Sequence, residues 1–291
     1  MTTDVASTLL REVCFLQPAG ALTVTAPAYS FRRDFDPPLA WPDAAYDTSM
    51  PSSHYDKSSR SELLKVMSDA SDFARARAPK AFVFVDKEVD SVMLRRSTAV
   101  AGACSASNPS HIGVCLFTNL HLAPDRILAC AEGLVHEAIH QHLYRTEREH
   151  GGFCDFGESK RFHSPWTGNK VPLHSLVHAT LVGFGMLTLW CQLAQSSADR
   201  GETALVGERV ARTLFGYTFV TRMMESRVFP FASIEPRILK LIDHVARIPA
   251  ALAHSAEKAQ TAGDMLRCCE DGRWVRRLAS TVERMAQPIA A

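Results

Sequence analysis

The sequence lacks the excess of charge that marks several classes of binding protein. Its 291 residues carry 32 Lys and Arg against 31 Asp and Glu, which gives a net charge of +1. Nucleic acids and anionic membrane surfaces attract proteins through an excess of positive charge. We therefore expect neither nucleic acid nor a membrane among the partners of this chain.

Targeting segments and long uncharged apolar runs are also lacking. Residues 1–7 contain no basic segment followed by an apolar one, so we expect no signal peptide. A membrane-spanning helix needs about 20 apolar residues, and the nearest candidate, 173–194, is interrupted by two histidines and several small residues. The eight cysteines show no metal-ligand spacing, which is typical of a reduced, cytoplasmic protein.

The chain does contain an H-E-x-x-H motif, His136-Glu137-Ala-Ile-His140. Apolar residues recur at helical spacing from 124 to 148, which predicts an amphipathic helix around the motif. Because a helix advances about 3.6 residues per turn, the two histidines are expected on one face, where both imidazoles can bind one metal ion. In metallopeptidases the intervening glutamate is the general base for the metal-bound water, so Glu137 is a candidate catalytic residue. Gly133 lowers the stability of the same helix, and we expect a close approach of another element there.

The elements around this helix predict an α+β fold. The apolar runs 81–85 and 112–118 are typical of buried strands, and the second precedes the H-E-x-x-H helix. A small sheet packed on that helix would form a zincin-like centre. From 173 onward, apolar periodicity predicts a mostly helical C-terminal half. We expect an α+β part over 1–150 and a helical part over 151–291 that supplies the third metal ligand, together in one compact unit.

Two histidines alone hold a metal poorly, and the residues leave the third ligand open. Glu147 follows His140 by seven residues, about 10 Å along the helix, so we do not expect it to share a metal with the H-E-x-x-H pair. Glu158 lies in a segment with the composition of a loop. His174 and His178 remain, one turn apart on the next long helix, and a hydrogen-bonded role in the core is the alternative for both.

Two segments together resemble a known family. The run 164–190, which begins Ser-Pro-Trp and contains His178, is similar to the second signature of the HExxH-motif proteins of peptide natural-product clusters, approximately S-P-W-R-x-D-x-R-P-x-x-G-L-L-H-G-x-x-A-F. The register holds without a gap from 165 to 178. The first signature, L-V-H-E-x-x-H, matches 134–140. The two signatures lie within residues 97–192, which the resemblance covers.

Members of this family are described as aKG-HExxH-type peptide β-hydroxylases, which use iron and 2-oxoglutarate. The resemblance implies that His136, His140 and His178 bind Fe(II) and leave open positions for 2-oxoglutarate and O₂. It implies hydroxylation of an unactivated carbon, the β position, in a ribosomal peptide or a small amino-acid-derived substrate. Glu137 would then support the ligands instead of acting as a base. His174 should face away or contact only the ligands.

The chain departs from the family signature where a cofactor contact is expected. Thr167 and Val171 replace the two arginines of the second signature. If either arginine binds the distal carboxylate of 2-oxoglutarate, another basic residue must do so here. The candidates, each with a surface role as the alternative, are Lys170, Arg145, Arg161 and Arg222.

Two other functions stay open on the sequence. A zinc hydrolase would use Glu137 to activate water on a zinc ion held by three histidines or by two histidines and a glutamate. A protein that keeps the scaffold for binding alone also fits, since both signature arginines are missing. The residues predict no particular oligomeric state.

Overall fold

The protein has an α+β fold that is mostly helical and contains a small sheet. The computed structural model describes residues 8–10, 12–13, 52–53, 55–98, 100–155, 161–196, 200–226 and 231–256. The elements, in chain order, are β1 (Ser52–Ser53), α1 (Lys57–Arg77), α2 (Pro79–Glu88), β2 (Ser91–Ser97), β3 (Cys104–Ser107), β4 (Val114–Thr118), α3 (Arg126–His150), β5 (Arg161–His163), β6 (Lys170–Pro172), α4 (Leu173–Ser196), α5 (Arg200–Glu225) and α6 (Pro236–Ala256). The expected α+β class is confirmed.

The chain divides into two compact units. One, which we call the sheet unit, is Ala19–Arg145, and the other, the helical unit, combines Met1–Pro18 with Thr146–Ala291. The division falls inside α3, whereas the sequence placed it at residue 150. Parts of both expected ranges, 1–150 and 151–291, lie outside the described residues.

A four-stranded sheet with the order β1-β2-β4-β3 forms the centre of the sheet unit. β2 and β4 are parallel, and β3 runs antiparallel to β4 with Ser105 opposite Phe117. The predicted strand 112–118 is confirmed as β4. Because β4 has a neighbour on each side and buries residues on both faces, its sequence is continuously apolar.

The predicted strand 81–85 is wrong, because these residues lie in helix α2. Pro79 stands in the first turn of α2, where a missing N–H removes no helical hydrogen bond. Five apolar residues fit a buried strand or a buried helix, and periodicity does not separate the two at that length. The buried positions of α2 recur at helical spacing, at Ala81, Phe82, Phe84, Val85 and Glu88.

Helix α3 packs closely on the sheet. A Cβ atom at Gly133 would lie 2.6 Å from Phe117 Cε1 and 3.4 Å from Ser105 Cβ, so glycine is needed for this approach. The close approach expected at Gly133 is confirmed. Two turns further along, the Gln141 side-chain amide donates to the Val114 carbonyl oxygen at 2.8 Å, which fixes the start of β4 on the helix.

The helical unit contains α4, an apolar helix that packs against α5 and α6. By length and composition alone, its segment Leu173–Ala194 qualifies as a membrane span, but most of it is buried inside the fold, as in the core helix of a folded domain. Tyr217 of α5 donates its hydroxyl to the Thr180 carbonyl oxygen at 2.5 Å. The apolar character of α4 is therefore matched by burial against neighbouring helices.

The Ser-Pro-Trp segment joins β5 to β6 and rests on α5. The indole Nε1 of Trp166 donates to the Thr213 carbonyl oxygen at 3.2 Å. A Cβ atom at Gly216 would lie 2.2 Å from the same nitrogen, so glycine makes room for the indole. Arg212 donates to the Trp166 carbonyl oxygen at 3.0 Å. The tryptophan of the second signature thus holds the hairpin on the helix.

Candidate metal centres

The H-E-x-x-H residues lie on α3 in the sheet unit, and its two histidines share one face. The ring centroids of His136 and His140 are 5.0 Å apart. One turn further, the Tyr144 ring stacks on His140 with a centroid distance of 6.0 Å. The side chain of His136 is 43% exposed, so its imidazole is accessible to an ion or ligand in solvent.

Glu137 points to the sheet and is fixed there. Its side chain is 2% exposed, and its Oε1 accepts a hydrogen bond from Ser105 Oγ at 2.6 Å. The same oxygen lies 4.0 Å from His136 Nε2. Burial raises the pKa of the Cys115 thiol in β4, and the negative charge of Glu137 adds to that rise. The carboxylate therefore links the helix to the edge strand β3.

A second group of ligand-type side chains lies in the helical unit. Glu147 near the end of α3 meets His174 and His178 from the first two turns of α4, and we call these three residues the Glu147 cluster. Glu147 Oε2 lies 2.8 Å from His174 Nε2 and 3.0 Å from His178 Nε2. Among the described residues, these are the three side chains of ligand type whose ligand atoms all lie within 4.8 Å of one another.

The Glu147 cluster is largely buried and contains an ionised carboxylate. The exposed fraction is 9% for the Glu147 side chain, 16% for His174 and 1% for His178. Burial opposes ionisation of Glu147, but hydrogen bonds from both histidines outweigh it and lower the pKa of the carboxyl to about 2. Burial lowers the pKa of His178 to about 4, against the opposing effect of Glu147. At neutral pH a carboxylate thus faces a neutral His178 imidazole.

The backbone holds the carboxylate from a further direction. Helix α3 ends at His150, and the next residue, Gly151, has a φ of 96° and donates its N–H to the Glu147 carbonyl oxygen. The chain then turns back, and the Phe153 N–H donates to Glu147 Oε1 at 3.0 Å. The Phe153 ring is buried, with its centroid 5.6 Å from that of His178.

The structure places His174 beside His178. Their ring centroids are 4.1 Å apart and both contact Glu147, so of the two arrangements expected for His174 the structure shows contact and not an outward orientation. The spacing along α3 excludes Glu147 from a metal shared with His140, and it does not predict the pairing of Glu147 with His174 and His178. A buried carboxylate needs hydrogen-bonding partners, but the burial of Glu147 is not visible in the sequence, so this requirement gave no signal for the pairing. Glu158 lies outside the described residues.

The expected ligands His136 and His140 belong to the sheet unit, and His178 belongs to the helical unit. Within its own unit, His178 has Glu147 and His174 as neighbours.

The four basic candidates for the 2-oxoglutarate carboxylate have two kinds of surroundings. Arg145 Nε lies 3.1 Å from Glu88 Oε2, and Glu88 is buried. Arg145 is thus engaged in an ion pair that joins α3 to α2. The other three side chains are exposed, on β6, β5 and α5 respectively: Lys170, Arg161 and Arg222.

No model of a known protein family matches the chain, and no curated protein matches it either. The resemblance to the peptide β-hydroxylases therefore stands on the residues of 134–140 and 164–190.

Proposed function

We propose that the protein is an oxygenase that depends on Fe(II) and 2-oxoglutarate and hydroxylates an unactivated carbon of a peptide or small amino-acid-derived substrate. The two signature segments support this proposal. His136 and His140 would be iron ligands, and the resemblance adds His178. The neighbouring imidazoles of the helix fit such a metal, because imidazole nitrogen is a common donor to Fe(II). Iron and 2-oxoglutarate, when bound, supply the oxidising power for C–H hydroxylation.

The position of Glu137 is the observation that supports an oxygenase over a hydrolase. A hydrolase needs this glutamate directed at metal-bound water and able to take its proton. Here one carboxylate oxygen accepts the Ser105 hydroxyl, and the side chain is almost fully buried against the sheet. A carboxylate held in this way is suited to orienting the helix that carries the ligands.

We also infer that the sheet unit is zincin-like at its centre. The edge strand β3 lies antiparallel to β4, and α3 approaches both strands at Gly133. In this arrangement the edge strand borders the H-E-x-x-H turn and would line the substrate cleft.

The test is metal analysis after anaerobic purification, combined with O₂ uptake in the presence of 2-oxoglutarate. With ascorbate added as the two-electron reductant, we expect bound iron and uncoupled conversion of 2-oxoglutarate and O₂ to succinate, CO₂ and water, a readout that requires no knowledge of the substrate. Bound zinc, peptide cleavage and no consumption of 2-oxoglutarate would instead establish the hydrolase. A chain that neither cleaves peptides nor consumes 2-oxoglutarate, with or without bound metal, would favour the binding protein.

A further inference from the structure

We propose that Glu147, His174 and His178 form a metal site of their own, which takes a divalent transition metal ion such as Zn²⁺ or Fe²⁺. The proposal rests on the contacts within the helical unit and holds whether or not the chain is an oxygenase. His178 belongs both to this ligand set and to the set of the proposed function. Since one imidazole nitrogen binds one ion, it can serve only one of them at a time.

The donor atoms of the Glu147 cluster are spaced as neighbouring ligands of one ion. With bonds of about 2.0–2.2 Å from the metal to nitrogen or oxygen, neighbouring donors lie about 3 Å apart at right angles and about 3.4 Å apart in a tetrahedral site. Oε2 of Glu147 lies 2.8 Å from His174 Nε2 and 3.0 Å from His178 Nε2. All three donors lie within 4.8 Å of one another.

Hydrogen bonds have similar lengths, so these distances alone do not distinguish a metal site from a hydrogen-bonded cluster in the core. The identity and burial of the three side chains distinguish the two. A single imidazole is enough to give a buried carboxylate a hydrogen-bonding partner. Here two imidazoles, one of them 1% exposed, converge on the same oxygen. Two histidines and one carboxylate are also the donor set of non-haem Fe(II) sites and of many zinc sites.

The charge of the site and its access suit a divalent ion. Glu147 supplies a carboxylate among the three ligands, and carboxylates are common anionic ligands of divalent metal ions. The His174 side chain is 16% exposed, which is the largest exposed fraction in the Glu147 cluster. An ion would therefore enter the site from the side of His174.

The supporting structure orients the ligands before any ion binds. His174 and His178 are four residues apart on the regular helix α4. Glu147 is held through its other oxygen by the Phe153 N–H at 3.0 Å. Ligands oriented by such surrounding hydrogen bonds are typical of metal sites. The ion would join the end of α3 to the start of α4.

The experiment is a Co²⁺ titration of the metal-free full-length chain, followed by d–d absorption, with Zn²⁺ affinity measured by calorimetry. The variant His136→Ala/His140→Ala should keep one Co²⁺ ion per chain. Glu147→Gln and His174→Ala should each lower the affinity for that ion by about 10-fold or more. His150→Ala, which removes an exposed histidine at the end of α3, is the matched control and should bind as the parent does.

The variants separate this site from the ligand set of the proposed function. Unchanged Co²⁺ affinity in Glu147→Gln and His174→Ala, with loss in the His136→Ala/His140→Ala variant, would overturn the Glu147 site. His178→Ala should lose the ion under either ligand set and serves as the positive control for loss. Absence of 2-oxoglutarate turnover would contradict the proposed function but would not affect the test of the Glu147 site.

A measurement on the unmodified chain covers the case in which a variant fails to fold. High-spin Co²⁺ shifts the ring N–H signals of the histidines that bind it far outside the normal NMR range. Two shifted ring signals from α4 are expected. Shifted signals from His136 and His140 together with one from His178 would contradict the proposal.

Discussion

Glu137 and Ser105 hold the H-E-x-x-H turn on the edge of the sheet, and their roles can be tested separately from metal binding. We expect Glu137→Gln to keep bound iron and a substantial part of the 2-oxoglutarate turnover, because the amide oxygen still accepts the Ser105 hydroxyl. Loss of a general base typically lowers the rate 10²–10⁴-fold. The measurements are iron content and succinate formation.

The outcome of Glu137→Gln divides the two enzyme functions. Peptide cleavage that disappears in the variant, with no 2-oxoglutarate consumed by either protein, would favour the zinc hydrolase. Succinate formed in excess of hydroxylated product would instead show that Glu137 couples turnover to hydroxylation. Ser105→Ala, which removes the hydroxyl and leaves the carboxylate, is the control for mispositioning.

Glu88 is a second buried carboxylate of the sheet unit, and its effect on stability depends on pH. His142 Nδ1 lies 3.1 Å from it, and Arg145 Nε also lies 3.1 Å from it. Burial alone would raise its pKa, but the hydrogen bond from His142 and the nearby positive charges lower the pKa below the usual value of 4.5. Its stabilising effect is therefore fully present above that value and is lost as the pH falls through the folded-state pKa.

We expect Glu88→Gln to lower the free energy of unfolding by about 1–3 kcal/mol at neutral pH, because His142 and Arg145 lose a charged partner. The difference from the parent should shrink as the pH falls through the folded-state pKa. Urea unfolding across this range measures it. Glu62→Gln is the control, since Glu62 and its partner Arg126 are exposed and such pairs contribute little.

Glu147 shows why a ligand set is hard to predict from spacing along one helix. The rise per residue correctly separates Glu147 from His140, but it carries no information about which residues of a later helix face the same turn. That contact depends on the path of the chain after Gly151, where Phe153 turns back to the carboxylate. The pair His174 and His178 was found from the sequence; its carboxylate partner was not.

At the scale of elements, the contact between α3 and the sheet can be tested at Gly133. Alanine normally stabilises a helix by about 1 kcal/mol relative to glycine. Here we expect Gly133→Ala to destabilise the protein by about 1–3 kcal/mol, because its Cβ would lie 2.6 Å from the Phe117 ring. Denaturant unfolding measures the change.

Two further variants check the cause of that destabilisation. Phe117→Leu in the Gly133→Ala background should recover part of the lost stability if the ring is the obstacle, as a double-mutant cycle would show. Gly102→Ala, which places a Cβ with no atom within 4 Å, should change stability little. Equal effects at Gly102 and Gly133 would contradict a steric cause.

The elements that the sequence predicted best are those whose pattern is complete within the element. Helix α3 and strand β4 carry long periodic or continuous apolar runs and were found close to their observed bounds. Strand β3 was missed because its small residues, Cys104–Ser107, look like a loop and pair only through the backbone of β4. Ser105 of β3 owes its importance to Glu137, 32 residues later, which no local pattern shows.

At the scale of the whole molecule, the labelling rates of the buried cysteine thiols measure how rarely the fold opens. Burial raises the pKa of the Cys130 thiol to about 12, and burial with the nearby Glu147 carboxylate raises that of Cys154 to about 11. Thiolate is the reactive form, so both groups should be inert in the native state. Cys104 is the partly exposed member of the described cysteines, and the buried ones are Cys115, Cys130, Cys154 and Cys191.

We therefore expect one fast-reacting thiol, Cys104, in a chain whose other three cysteines, Cys14, Cys268 and Cys269, are replaced by serine. The remaining four thiols should label at the rate of structural opening, many-fold more slowly. Labelling with a chromogenic disulfide reagent, followed by peptide mass mapping, identifies the site. Rapid labelling of Cys130 would contradict the core described for the sheet unit.

The division of the chain inside α3 has no counterpart in composition. Residues on both sides of Arg145 continue one helix, with no loop, glycine or proline to mark a boundary. Clusters of glycine, proline and small polar residues mark linkers in a sequence, and a division within a helix has no such marker.

Helix α4 has a consequence for the synthesis of the protein on the ribosome. Its apolar surface is covered by α5 and α6, and the last of these ends at Ala256, about 60 residues after α4. At 5–20 residues per second, roughly 3–12 s pass between the emergence of α4 and that of its cover. During that interval the nascent chain presents a helix that hydrophobic-binding chaperones recognise. The yield of the protein should accordingly depend on chaperone supply and on the speed of translation beyond residue 196.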